Sequence, residues 1–268
     1  LNVAGSISDD FVKAWALRDI ASELAKAGQT QQALQIFDKA ANVAGSISRD
    51  SDKAWALNFI AVELAKTGQT QQALQIFDKA VDVAGSISVD FYKALALKDI
   101  AVELAEAGQF GKAVNVAGSN SENYYKAWAL SKIASELAKT GQFDKAVNAA
   151  GSISDNYCKV WTLSKIASEL AKAGQTQQAL QIFDDALNVA GSISDDSDKA
   201  SALSDIASEL AKAGQFDKAI NLINKKTDPY YTASILISIH QGYMESNKKL
   251  DDNCKGLLED IFESYHKN

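Results

Sequence analysis

Apolar positions recur along the chain with the period of an α-helix. From residue 14 onward, small or apolar residues fall three or four positions apart, which predicts one buried face of an amphipathic helix. Ser8, Asp9 and Asp10 supply N-cap chemistry before this stripe, and Gly28 follows it, so a helix is predicted from Asp10 to Ala27. The stripe consists of Ala14, Leu17, Ile20, Ala21 and Leu24.

A second helical stripe follows almost at once. It predicts a helix from about Thr30 to Val43, closed by Gly45, with the next helix beginning near Asp50. Two helices with a short link form an αα-hairpin, and one hairpin cannot bury both of its apolar stripes without stacking on neighbours. The stripe consists of Ala33, Leu34, Ile36, Phe37, Ala40 and Ala44.

The stretch from Ala14 to Ala40 recurs along the chain, which predicts an all-α αα-hairpin solenoid of about six helix pairs over residues 1–226. The glycines that end the first helices are 40 or 33 residues apart. The difference of seven residues is about two helical turns, so three second helices should be shorter without turning their apolar face away from the core. Copies start at Ala54, Ala94, Ala127, Val160 and Ala200. The glycines are Gly28, Gly68, Gly108, Gly141, Gly174 and Gly214.

The two ends of the chain differ from its middle. The pattern decays after Asn224, so residues 227–268 are predicted to form a degenerate repeat and a helical C-terminal cap. The first ten residues recur at Leu187 to Asp196, in the middle of the array, and residue 1 is not Met. We therefore expect the chain to begin inside a repeat of a longer protein.

Composition narrows the classes of function. The net charge is −7 and basic residues alternate with acidic ones, so no nucleic-acid-binding face is expected. No apolar run reaches the roughly 18 residues of a membrane span. Cys158 and Cys254 lie about three repeats apart, and we expect two unpaired thiols in a reducing compartment such as the cytoplasm.

No pattern of catalytic residues stands out. His240 and His266 both lie near the carboxyl end, and no Cys/His group has the spacing of a metal site. No glycine-rich phosphate loop follows a strand. We therefore expect a protein that is not an enzyme and needs no cofactor.

The repeated unit resembles the tetratricopeptide repeat (TPR). Counted from Ala14 as position one, eight positions agree with that family in size class, although the period departs from the family's 34 residues. The resemblance implies a right-handed superhelix whose first helices present positions two, five, nine and thirteen to a concave groove. The agreeing residues are Leu17, Ile20, Ala21, Leu24, Gly28, Ala33, Phe37 and Ala40.

Tryptophan recurs at position two, beside small polar residues at positions five and nine and mostly lysine at position thirteen. Such a groove would suit an extended or helical peptide of a protein partner, one with some acidic residues. The other interpretation is that each tryptophan packs sideways on the next hairpin and records duplication. The candidate partner-binding residues are Trp15, Arg18, Ser22, Trp55, Asn58, Val62, Leu95, Lys98, Trp128, Ser131, Trp161 and Ser164.

The leading hypothesis is a protein-interaction scaffold. A structural spacer that self-associates through the ends of the solenoid, and a regulatory segment of a larger effector protein, are alternatives. A further set of aromatic residues precedes or opens the first helices and is expected to staple the entering chain. These are Phe11, Phe91, Tyr92, Tyr124, Tyr125, Tyr157, Tyr230 and Tyr231.

Overall fold

A computed structural model describes residues 6–222, 232–233, 235–237, 239–241 and 256. Within these ranges the chain is all-α, and its helix pairs form the TPR-like solenoid that the repeats predict. The helices are α1 Asp10–Lys26, α2 Thr30–Ser46, α3 Asp50–Lys66, α4 Thr70–Ser86, α5 Asp90–Glu106, α6 Phe110–Gly118, α7 Asn123–Lys139, α8 Phe143–Gly151, α9 Asn156–Lys172, α10 Thr176–Gly191, α11 Asp196–Lys212 and α12 Phe216–Asn221.

A glycine in the left-handed region ends each first helix, as predicted. At the end of α1, Gly28 has φ +78°, its N–H donates to the Ala25 carbonyl, and the Gln29 N–H donates to the Leu24 carbonyl. This pair of bonds is a Schellman motif, which satisfies carbonyls that the helix leaves open and needs a residue without a Cβ at the turn. A positive φ between 70° and 81° recurs at Gly68, Gly108, Gly141, Gly174 and Gly214.

The first turn of several first helices is capped by aspartate. The Asp9 side chain accepts a hydrogen bond from the Val12 N–H at 2.9 Å, which confirms the predicted N-cap. Asp155 and Asp195 cap α9 and α11 in the same way.

The prediction that Gly45 ends the second helix is wrong. Helix α2 continues through Gly45 to Ser46, and Gly45 is not among the glycines with positive φ. Ile47 follows as an extended C-cap residue and is 7% exposed, so the chain leaves the helix by placing this side chain in the core. Helix α4 ends in the same way, with Ile87 buried after it.

The predicted shortening of the second helices is confirmed. Helices α6 and α8 have 9 residues each, whereas α2 and α4 have 17. Asn120 lies just after α6. It is buried, its Nδ2 donates to the Ala94 carbonyl at 2.8 Å, and it takes the place that Ile47 and Ile87 have after the long helices.

The chain divides into two compact units, Leu1–Ile133 and Ala134–Asn268, and the division falls inside α7. In the first unit α1, α3 and α5 pack successively on one another and on their own second helices, α2, α4 and α6. In the second unit α9 packs on α8, α10 and α11. Phe37, Phe77 and Phe183 are buried in the centres of the long hairpins, where the repeat pattern placed them.

Several predictions fall outside the described residues. The predicted boundary after residue 226 and nearly all of the C-terminal cap lie there, as do Cys254 and His266. Of the helices that the structure describes, none has the length and apolar character needed to cross a lipid bilayer.

Candidate functional site: the face of the first helices

Positions two, five, six, nine and thirteen of the first helices point to one side, because each residue turns the helix by about 100°. We call this side the first-helix face. All the predicted partner-binding residues are at positions of this face. Position six, one turn after the tryptophan, belongs to it as well, although the repeat pattern does not single it out.

The four tryptophan rings are neither fully buried nor fully exposed. Trp15 is 39% exposed and Trp128 is 36% exposed, while Trp55 and Trp161 are half-buried. Each ring therefore packs against its neighbours along one edge and leaves another part accessible to solvent. The accessible part of each ring fits a role in binding a partner. The packed edge fits the interpretation in which each tryptophan packs on a neighbouring hairpin.

An aromatic cluster surrounds Trp15 in the first unit. Its ring centroid lies 5.6 Å from that of Phe11 and 5.5 Å from that of Phe59, the latter in an edge-to-face arrangement. The Arg18 Cζ lies 4.6 Å from the Trp15 centroid and 5.9 Å from that of Phe59. Arg18 also pairs with Asp19, so its charge is compensated on the surface of the cluster. Phe59 comes from the next hairpin and is 36% exposed.

Trp128 lies between two lysines. The Lys98 Nζ is 4.7 Å from the ring centroid and the Lys132 Nζ is 5.3 Å from it, distances typical of cation–π contacts. Lys98 comes from the preceding first helix, α5, and also pairs with Asp99 at 2.7 Å. The ring therefore joins two hairpins, and the predicted residue Leu95, half-buried at the tryptophan position of α5, has no such role.

In the second unit, Trp161 has a single lysine over its ring. The Lys165 Nζ lies 5.6 Å from the centroid and also pairs with Glu209 of α11. Tyr157, one turn earlier, donates its hydroxyl to Asp205 at 3.1 Å. Burial, together with the charge of Asp205, raises the pKa of Tyr157 to about 12.

The predicted small polar residues lie below the surface. All are nearly inaccessible to solvent, so a partner would not reach them on the surface. Ser22 donates its hydroxyl to Glu63 Oε2 of the next hairpin at 2.8 Å, and Ser164 donates to the Val160 carbonyl at 2.9 Å. The buried predicted residues are Ser22, Asn58, Val62, Ser131 and Ser164.

The lysines at position thirteen are paired within their own helix. Each lies three residues after a glutamate at position ten and holds it at 2.6 to 3.1 Å. Such pairs are compensated charges, so they attract an acidic partner less than free lysines would. The pairs are Glu23–Lys26, Glu63–Lys66, Glu136–Lys139, Glu169–Lys172 and Glu209–Lys212. Helix α5 differs, because Glu106 stands at position thirteen after Glu103.

The described part of the chain offers little for nucleophilic or metal chemistry. It contains no group of three or more His, Cys, Asp and Glu side chains placed to hold a metal ion. Cys158 is not in a disulfide, and burial, with the neighbouring Asp155, raises the pKa of its thiol to about 11. Little thiolate is therefore present at neutral pH, which makes it a poor nucleophile.

A separate prediction concerns the aromatic residues at the starts of the first helices, which are expected to staple the entering chain. Phe91, Tyr92 and Tyr124 are 54%, 45% and 69% exposed, so they do not hold the entering chain by burial. Phe91 contacts Tyr92 and Tyr125 edge to face, and Tyr124 contacts Tyr125 in the same way, with ring centroids 5.4 to 6.1 Å apart.

The helix pairs and the glycine-ended first helices define a class of helical-repeat protein. Residues 12–86 match the family model for the tetratricopeptide repeat. This match supports the resemblance to the TPR-like repeats that the residue pattern predicted. No curated protein matches it significantly.

Solved structures with related architecture were also found. Ton1535 from Thermococcus onnurineus NA1 is 16% identical, with a TM-score of 0.39, over 88% of this chain and 93% of that one. A single-residue variant of a Podosopora anserina protein described as a kinesin light chain with nearly identical TPR-like repeats is 13% identical, with a TM-score of 0.37. That match covers 91% of this chain and 100% of the other. Likenesses of this degree say nothing about a partner.

Proposed function

We propose that the chain is a non-catalytic protein-interaction scaffold whose first-helix face binds a peptide or helical segment of a partner protein. TPR repeats generally mediate contacts between proteins, and this supports the class of function. The observation that carries the site is the set of accessible aromatic rings at Trp15, Phe59 and Trp128, all in the first unit.

The accessible rings have the character of binding hot spots. Trp, Tyr and Arg are enriched at hot spots because large, stiff side chains bury much area at a small entropic cost. Trp15 and Phe59 are held edge to face, and Arg18 lies against both rings, so the cluster is ordered before a partner arrives. A preorganised surface loses less entropy on binding. Ser22, buried nearby, joins this hairpin to the next through its hydrogen bond to Glu63.

Selection of dodecapeptides displayed on phage against the immobilised full chain tests this function. We expect enriched peptides that bind the wild-type chain and bind Trp15→Ala or Phe59→Ala at least about tenfold more weakly, the loss typical of a hot-spot truncation. Val89→Ala is the matched control, because this apolar side chain is also exposed but lies at the N-cap of α5, outside the positions that form the first-helix face.

Circular dichroism of each variant checks that the helices are retained. Enriched peptides that bind Trp15→Ala and Phe59→Ala as well as wild type would place the binding surface elsewhere. A selection that enriches no peptide at all would count against the scaffold. Light scattering on the same samples separates peptide binding from self-association of the chain.

A further inference from the structure

The glutamate at position ten can have two partners, one from its own helix and one from the preceding hairpin, as Glu63 and Glu209 do. Glu63 shows both: it accepts a hydrogen bond from Ser22 Oγ at 2.8 Å and pairs with Lys66 Nζ at 3.1 Å. Burial would raise the pKa of Glu63, but the hydrogen bonds from Ser22 and Lys66 outweigh it and lower the pKa. This carboxylate is satisfied within the fold.

Glu103 occupies the same position in α5, and both partners are replaced. Val62 stands where Ser22 stands relative to Glu63, in each case 41 residues earlier (103 − 62 and 63 − 22). Glu106 stands where Lys66 stands, three residues later. Valine cannot donate a hydrogen bond and a second glutamate repels the first, so two substitutions remove both interactions that stabilise the carboxylate.

A cleft opens at this place between the carboxyl-terminal ends of α3 and α5. Its volume is about 320 Å³. Val62, Ala65 and Ala107 provide an apolar wall, while Glu103 and Glu106 provide the negative charge. Lys66 also lines the cleft, where it remains paired with Glu63. Burial and the charge of Glu106 raise the pKa of Glu103, although Lys66 partly offsets this.

We infer that this cleft receives a lysine or arginine side chain of the protein partner that binds the first-helix face. The inference rests on the proposed function. Charge complementarity carries it, because two carboxylates share the cleft and its one cation already serves Glu63. The long stem of a basic side chain would lie along Val62, Ala65 and Ala107 while its charged end reaches Glu103.

Position and surroundings both favour a partner's side chain as the occupant. Val62 and Glu106 are at positions nine and thirteen, so the cleft opens on the first-helix face that also carries Trp15 and Phe59. Desolvating a carboxylate without a hydrogen-bond partner is unfavourable, and an incoming ammonium or guanidinium group would remove that cost. A basic side chain would therefore gain more here than at the already paired Glu63.

The test uses the dodecapeptide selection on the full chain with two further baits. The first bait is Val62→Ser with Glu106→Lys, which gives Glu103 the two partners that Glu63 has. The second is Glu169→Gln, a matched control at position ten of α9 in the other compact unit. We expect wild type and Glu169→Gln to enrich peptides with Lys or Arg at a fixed distance from an aromatic or apolar anchor. The double variant should lose this basic preference.

A peptide from the wild-type selection then gives the affinity by fluorescence anisotropy. We expect Glu103→Gln to weaken binding about tenfold, the loss of one charge-assisted hydrogen bond. Replacing the basic residue of the peptide by norleucine should weaken binding to wild type by a similar factor and change binding to Glu103→Gln little. Equal affinity of wild type, Glu103→Gln and the double variant for peptides that still need Trp15 would overturn this inference and leave the scaffold intact. A selection without any enriched peptide would overturn both.

Discussion

Glu103 and Glu209 occupy the same position of the repeat, one in each compact unit, and their surroundings are opposite. Glu209 accepts hydrogen bonds from Lys165 of the preceding hairpin and from Lys212 of its own helix, and its side chain is only 7% exposed. Burial would raise the pKa of Glu209, but the bonds from the two lysines hold it below the ordinary value. At Glu103 burial prevails and the pKa is raised.

The comparison shows how near-identical repeats acquire different roles. The backbone position is constant, because the Schellman turn and the apolar stripe fix the register of every first helix. Neighbouring residues decide whether the carboxylate at that position is stabilised. Lys165 and Lys212 stabilise Glu209 in one unit, whereas Val62 and Glu106 do not stabilise Glu103 in the other. A small number of substitutions can therefore leave a carboxylate without the partners that its counterpart has.

The largest effect is expected from Glu209→Gln. Because this change removes a buried carboxylate that holds two lysines, it should lower the free energy of unfolding by about 2 kcal/mol at neutral pH. Urea unfolding followed by circular dichroism measures it. Glu23→Gln is the control, since Glu23 is largely exposed and pairs with Lys26 at the surface, and it should lower the free energy of unfolding far less. Equal losses in the two variants would contradict the special role of Glu209.

The pH dependence of stability tests whether the contribution of Glu209 is ionic. A carboxyl whose pKa is lowered by folding stabilises the protein above its unfolded pKa, near 4.3, and this contribution disappears as pH falls through the folded value. The difference between wild type and Glu209→Gln should therefore shrink on acidification below about pH 4. Unfolding curves across this range measure it, and a difference that is constant with pH would argue against an ionic origin.

A smaller loss is expected from Ser22→Ala. The variant gives Glu63 the apolar neighbour that Glu103 has, and removes one hydrogen bond to a part-buried carboxylate. The free energy of unfolding should fall by about 1 kcal/mol. Ser46→Ala, at an exposed helix end, is the control and should change stability little. In the background of Glu63→Gln the effect of Ser22→Ala should be reduced, and an unchanged effect would show that the pair is not coupled.

The smallest expected change in the free energy of unfolding is an increase. Glu103→Gln removes a charge without a compensating hydrogen bond, so at neutral pH it should raise the free energy of unfolding by about 0.5 kcal/mol, a value kept small because the side chain is still partly solvated. A raised folded pKa means that the cost is present above that pKa and vanishes as pH falls below the unfolded value. The gain should accordingly disappear in acid. Destabilisation by Glu103→Gln at neutral pH would show that the carboxylate has a partner within the fold.

The helical framework was predictable from local pattern. The glycine at the end of each first helix, the aspartate cap at Asp9 and the two-turn difference between long and short second helices all follow from hydrogen bonding within a few residues. The error at Gly45 has a local origin as well. A glycine typically ends a helix where it adopts a positive φ, and Gly45 does not. Helix α2 therefore continues to Ser46, and the chain leaves it at the buried Ile47.

The candidate site was predictable only in part. The tryptophans were predictable because they repeat, whereas position six changes among Asp, Phe and Lys and gives no periodic signal. Ser22 and Asn58 are predicted to face a partner, but both are buried, and Ser22 donates to Glu63 of the next hairpin. Burial of this kind depends on contacts between hairpins some 40 residues apart, which a helical period does not reveal.

By itself, the sequence determined that this chain is an α-helical repeat with a TPR-like register, because turns, caps and apolar stripes are local properties. Only the tertiary structure decided which tryptophans stay accessible and which glutamate loses its partners. Both depend on the residue that a neighbouring hairpin brings into contact, Ser22 against Glu63 in one case and Val62 beside Glu103 in the other.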